Sequence, residues 1–216
     1  VTVQLSVLAD FPRKVRHRSP VHIYHATSHH LGRVALLENN AADPGRGQLA
    51  DLLVESEMHV KVGDSLIIRD HDLGRTMGGG LVVALDEPNA RRRSPARLDM
   101  LTRLQLASIQ LDPSKSLLAL CAQRPVHFDR FRRSWNLTES DAERLRSLPP
   151  LTFKNDFVLH EEYLSTQTKA LTARLEEHHR LVSDSEGIEL ESLATLIGQP
   201  IDASRIVLAC AVDDGA

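Results

Sequence analysis

Four histidines crowd one short segment, His22, His25, His29 and His30, and they are the first residues whose type and spacing invite chemistry. Imidazole is the commonest side-chain ligand for a metal ion. On a strand, however, side chains alternate between faces, so His22 and His25, an odd number apart, point to opposite sides and are poorly placed to share an ion. His178 and His179 close a helical stretch, where a cationic ring suits the helix dipole better than a ligand pair does. Nucleophilic and phosphoryl chemistry lack their carriers, since the sequence holds no Gly-x-x-x-x-Gly-Lys-Ser/Thr loop, no Gly-x-Ser-x-Gly and no Cys-x-x-Cys. Cys121 and Cys210 lie among Leu, Ala and Val in helical patterns and read as buried, reduced thiols, which fits a reducing cytoplasm. The expectation is therefore no catalytic residue, no metal and no cofactor in these 216 residues.

The other residues able to do chemistry are basic. Arg144 and Arg146 sit on one helical stretch, Arg130, Arg132 and Arg133 on the stretch before it, and Lys154 in the following hairpin, a distribution that could meet nucleic-acid phosphate. Glu139, Asp141 and Glu143 share the helix of Arg144 and Arg146, so a plainly solvated face is the competing reading. Charge along the chain favours neither strongly. Residues 1–93 carry 12 basic against 11 acidic side chains, 94–165 carry 10 against 9, and 166–216 carry 4 against 9. No segment binds nucleic acid on net charge alone, so any such contact must come from local patches.

Residues 1–87 must position whatever the histidines do, and they read as β throughout. Six runs, Val1–Ala9, Val21–Tyr24, Gly32–Leu37, Gln48–Val54, Leu66–Arg69 and Gly79–Leu85, are separated by turn signals with no intervening helix, which predicts an antiparallel barrel or sandwich over 1–90. The stretch Gly63 to Val83 reads as a hairpin with a bulged turn, in which Gly78-Gly79-Gly80 marks a place where another backbone comes close. Ala90 to Pro95 is a basic connector and Arg97 to Ile109 a linking helix, together a linker over 91–113 whose arginines are solvated or touch phosphate. Asp112-Pro113 opens a helix, Phe128, Phe131 and Trp135 stripe a second, Thr138 to Asp141 resembles a capping box opening a third, and a hairpin turns at Lys154-Asn155-Asp156. Three helices and a hairpin predict a winged-helix module over 114–165. Residues 166–216 begin the same way, with helices capped by Thr166 and Asp202 and one ended by Gly198, and predict a second such module cut before its wing. The alternating strand pattern already under way at Val1 points to a fragment of a longer chain. No run approaches a membrane span.

Two segments carry a resemblance. Gly63-Asp64, Leu66–Arg69, the loop Asp70–Gly74 and Arg75-Thr76-Met77-Gly78-Gly79-Gly80 before Leu81-Val82-Val83 resemble the third domain of translational elongation factors related to elongation factor Tu. Pro20-Val-His-Ile-Tyr-His-Ala-Thr-Ser-His29 leading to Gly32-Arg33-Val34 is closer to the selenocysteine-specific elongation factors, the SelB family, whose barrel is also followed by an Arg-rich linker and tandem winged-helix modules. The resemblance implies a factor that delivers selenocysteinyl-tRNA to the ribosome with GTP and Mg²⁺ bound in a GTPase domain outside this fragment. It implies recognition of the selenoprotein mRNA hairpin by a last module that is also outside it, and no membrane partner. It carries tRNA contact over to Arg69, Asp70, Gly74 and Arg75, with Arg144, Arg146 and Lys154 as further nucleic-acid candidates. Two readings from other classes stand beside it: a winged-helix DNA-binding regulator with the barrel as sensor, and a metal-dependent enzyme on the histidines of residues 22–30.

Overall fold

In the computed structural model, which describes residues 1–85, 92–182 and 187–213, the chain divides into two compact units. One is Val1–Ser116 with Arg132–Leu137; the other is Leu117–Phe131 with Thr138–Ala216.

The first unit is built on a closed six-stranded antiparallel barrel. Its strands are β1 (Thr2–Val7), β3 (Ser19–His25), β4 (Ser28–Leu36), β6 (Gly47–Val54), β7 (Ser65–Asp70) and β8 (Thr76–Ala84), in the order β1-β6-β4-β3-β7-β8 and back to β1. Alternation along each strand sends Val3, Leu5, Ile23, Val34, Leu36, Leu52, Leu66, Ile68 and Met77 into one shared interior. The six apolar runs of the sequence are these six strands. A two-stranded ribbon, β2 (Val15–Arg16) with β5 (Ala41–Ala42), is additional; two residues per strand leave no alternation to read.

Closure depends on a glycine. β8 pairs with β7 on one side and β1 on the other, with Gly78 opposite both Ile68 and Val7. A Cβ on Gly78 would lie 2.0 Å from the Ser6 carbonyl oxygen, so the β1 backbone can approach only because no side chain is there. The β7–β8 register shifts between Ile68 and Arg69, the bulge expected of this hairpin.

α1 (Pro95–Ile109) starts with Ser94, whose hydroxyl accepts from the Arg97 N–H at 3.3 Å, and Pro95 in the first turn. Leu101, Leu104 and Ala107 are its buried stripe, against β8. A buried ion pair ties it to the barrel. Arg97 donates to Asp51 Oδ1 at 2.9 Å and Oδ2 at 3.2 Å, and Thr2 Oγ1 donates to Asp51 Oδ1 at 2.7 Å. Arg93 donates to the Leu36 carbonyl at 2.7 Å and to Asn40 Oδ1 at 2.9 Å. The basic stretch is thus stitched to the barrel at Arg93 and Arg97 and is neither a solvated connector nor a free phosphate patch there; Arg91 lies outside the described residues.

The chain continues as α2 (Pro113–Cys121), β9 (Val126–His127), α3 (Phe128–Trp135), α4 (Glu139–Arg146), β10 (Leu151–Lys154) and β11 (Phe157–His160), the element order of a winged-helix module. Asp112 caps α2, accepting from the Ser114 and Lys115 N–H groups at 3.0 and 3.1 Å. Thr138 and Asp141 form the capping box of α4. β11 pairs with both β10 and β9, and the Cys121 thiol, pushed up to about 12 by burial, donates to the Val158 carbonyl at 3.5 Å. The next helix starts earlier than expected: α5 (Glu161–Leu181) is capped by His160, not by Thr166, because β11 runs directly into a first turn carrying Glu161 and Glu162. α6 (Leu190–Ile197) ends on Gly198 at φ +68°, as expected. α7 (Ile201–Asp213) carries Asp202 within its first turn and packs Val207 and Cys210 with Leu159, Tyr163, Leu171 and Leu193. Among the described residues no single helix is long and apolar enough to cross a membrane.

Two substitutions test this account by denaturant unfolding. Arg97→Ala leaves the Asp51 carboxylate, 2% exposed, without its guanidinium and is expected to lower stability by about 3–5 kcal/mol. Gly78→Ala forces β1 off its register and is expected to abolish cooperative unfolding of the barrel, whereas Gly74→Ala, where a Cβ meets nothing within 4 Å, retains it.

Candidate nucleic-acid interface

The turn between β7 and β8 is built around one carboxylate. The Asp70 N–H donates to the Arg75 carbonyl at 2.9 Å, and the Gly74 N–H to the Asp70 carbonyl at 3.1 Å. Asp70 Oδ1 accepts from the Leu73 N–H at 2.8 Å, and Arg13 Nη2 reaches both carboxylate oxygens at 3.0 and 2.8 Å and Asp72 Oδ2 at 3.2 Å. Burial alone would push the Asp70 carboxyl up; the Arg13 guanidinium and the Leu73 N–H outweigh it and hold it below the usual carboxylate range. Asp70 is 3% exposed, so its side chain does not face a ligand as the sequence reading had it; it turns inward and holds the loop. An Asp-x-Asp in a polar loop reads as solvated, and its partner Arg13 is 57 residues away.

Around this anchor the remaining loop residues divide by exposure. Gly74 takes the left-handed φ of +60° that lets the chain return, and its carbonyl accepts from Arg69 Nη2. Arg69 is half-buried, its guanidinium carbon 5.9 Å from the Tyr24 ring centre, and its Nε is without a hydrogen bond. Arg75 is exposed. Arg69 and Arg75 therefore flank one turn whose own carboxylates are already paired with Arg13, leaving a positive rim.

The histidines sort by strand face. His25 goes to Asp64 at 3.1 Å and His30 to Ser56 at 2.9 Å. His22, opposite Arg69 across the β3–β7 ladder, bonds His29 through Nδ1 at 2.8 Å and His71 through Nε2 at 3.0 Å. His22, His25, His29 and His30 do not converge on one point, and no group of three or more His, Cys, Asp or Glu among the described residues could hold a metal ion. His71 escaped the sequence reading because it lies 49 residues from His22; only the strand pairing brings them together.

Residues 2–89 match the family described as "Selenocysteine-specific elongation factor, beta-barrel domain". The barrel from Thr2 to Ala84 lies within this match and is of the SelB type. The whole chain is 26% identical over 218 residues to the selenocysteine-specific elongation factor of Haemophilus influenzae, covering 99% of this chain and 34% of that protein. Over 93 residues it is 37% identical to that of Escherichia coli strain K12, covering 43% of this chain and 14% of the relative. The chain thus spans about a third or less of the curated relatives it matches. In fold it is similar to a crystal structure of the bacterial selenocysteine-specific elongation factor EF-Sec, with a TM-score of 0.62 at 11% identity over 99% of this chain and 31% of that one.

In the second unit the three basic candidates lie on α4 and β10. Arg144 bonds Asp141 one turn earlier at 3.5 Å. Arg146 lies over Phe128 and Phe153, 4.7 and 5.6 Å from their ring centres, and those rings meet edge to face at 5.2 Å. Arg146 therefore seals the module's own aromatic cluster. Lys154 ends β10, where it pairs with Phe157 across the wing.

Asp70→Ala should strand the Leu73 N–H and free Arg13, costing about 1–3 kcal/mol in urea unfolding. Because the folded carboxyl titrates below its unfolded value of about 3.9, the Asp70 contribution is fully present above that pH and lost as pH falls through the folded value. The gap in stability between wild type and Asp70→Ala should therefore narrow below about pH 4 in acid titrations.

Proposed function

We propose that this chain is part of a selenocysteine-specific elongation factor that delivers selenocysteinyl-tRNA to the ribosome at recoded stop codons. Its barrel would be the tRNA-facing surface, and its helical segments a spacer toward a module that recognises the selenoprotein mRNA hairpin. The observation that carries this reading is the match of residues 2–89 to the SelB barrel family. It is supported by 26% identity to the Haemophilus influenzae factor across 99% of the chain. The domain boundaries that go with it are a barrel over 1–90, a linker over 91–113, a winged-helix module over 114–165 and the start of a second over 166–216.

On this reading the parent protein is a cytoplasmic translational GTPase. GTP and Mg²⁺ would be held by a domain outside residues 1–216, since these residues contain no Gly-x-x-x-x-Gly-Lys loop to cradle phosphates. The chain's own contribution is recognition. Arg69 and Arg75 would donate charge-assisted hydrogen bonds to tRNA phosphates, which fixes position without reading sequence. Asp70 and Gly74 would set the turn that presents them.

In the full-length factor, Arg69→Ala with Arg75→Ala is expected to weaken selenocysteinyl-tRNA binding by about 100- to 10,000-fold at low salt, as charged hydrogen bonds contribute about 1.5–3 kcal/mol each. The loss should shrink as salt rises. Filter binding across a salt series checks this, and equal affinity of variant and wild type at every salt concentration rejects the role.

A further inference from the structure

His22, His29 and His71 come from three separate segments, β3, β4 and the turn after β7, and their rings form one continuous row. The ring planes are nearly parallel, 18° apart for His22 and His29 and 14° for His22 and His71, with centres 5.0 and 4.9 Å apart. Nitrogen-to-nitrogen contacts of 2.8 and 3.0 Å at such centre distances belong to rings joined edge to edge by hydrogen bonds, not stacked face to face. Tyr24 stacks on the outer His29 at 4.7 Å, and Arg69 borders the row from β7.

The hydrogen bonds limit how many protons the row can hold. A bond between two imidazoles needs one proton, and each ring nitrogen carries at most one. With all three rings neutral, two of the three ring protons lie in the two bonds and the third sits at one end. One further proton fits at the other end without breaking a bond; a second does not. The row therefore carries a charge of zero or one, and in the charged form it presents an N–H at both ends, His29 Nδ1 and His71 Nε2.

What faces the row sets which form is present. Partial burial, then His29, His71 and Arg69, hold His22 below the usual imidazole range. Among the described residues no carboxylate is bonded to the row: Asp70 and Asp72 share Arg13, and Asp64 meets His25. On β6 the chain reaches Glu55 opposite Leu31, which itself stands opposite His22, so by register a leucine separates that acid from the row. A cluster able to accept a positive charge, bordered by an arginine and with no carboxylate bonded to it, suits an anion supplied from outside.

We propose that the His22–His29–His71 row is a phosphate-contact site for the RNA backbone, continuous with Arg69 and Arg75, that takes up one proton as it binds. This rests on the reading that the Arg69–Arg75 turn faces tRNA. The phosphate supplies the missing negative charge, the charged row donates an N–H to it, and the bound complex holds a proton that the free protein does not.

The test is calorimetry of tRNA binding to the full-length factor at pH 6 and pH 8, in buffers of different ionisation heat, with wild type, Arg69→Ala/Arg75→Ala, His22→Ala and, as control, His59→Gln on an exposed histidine outside the row. The expected result is tighter binding by wild type at pH 6, uptake of up to one proton near pH 7, loss of that uptake in His22→Ala and its retention in His59→Gln. Weakened binding by the arginine variant without proton uptake by wild type, or with uptake that survives in His22→Ala, overturns the proposal and leaves the tRNA-facing turn standing. Unchanged binding by the arginine variant overturns both.

Discussion

At Gly78 the barrel leaves no room for a side chain: a Cβ there would stand 2.0 Å from the Ser6 carbonyl oxygen. That single close approach lets β1 lie against β8 while it also pairs with β6, and so turns an open sheet into a closed one. Features far from the glycine depend on it. Closure sets Thr2 of β1 opposite Ala84 of β8, the strand α1 packs against, while Thr2 and Asp51 of β6 accept Arg97 from α1.

Electrostatics in this unit is mostly internal. Arg13, Arg93 and Arg97, three of the basic side chains that a sequence scan would credit to a partner, are engaged by Asp70, Asn40 and Asp51. Nearly balanced charge along residues 1–93 gives no broad positive field. Selectivity for a polyanion would come from geometry, a rim of two arginines on a turn whose own acids are drawn to Arg13, rather than from a broad field.

How much was legible in the sequence depended on how local the cause was. The six strands, the bulged hairpin, the capping box of Thr138 and Asp141 and the Gly198 stop are each written within a few residues, and each stands in the structure as read. The start of α5 at Glu161 was displaced to Thr166 because a strand passing straight into a helix leaves no loop to mark the change. The inward turn of Asp70 and the joining of His22 with His71 were not legible at all. Their partners lie 57 and 49 residues away, and only the order in which strands pair brings them within bonding distance. The histidines were visible as a group, but the alternation rule could only separate His22 from His25; it could not supply the third ring.

β1 lies between two neighbours along nearly its whole length, Thr2 to Ser6 against β6 and Thr2 to Val7 against β8. A strand with a free edge frays, and its amide protons then exchange with solvent through small local openings. This one has no free edge to fray from, and freeing it means breaking two ladders and reopening the seam at Gly78. Amide exchange along β1 would thus run at the pace of global unfolding of the barrel, making this doubly paired strand one of its slowest clocks.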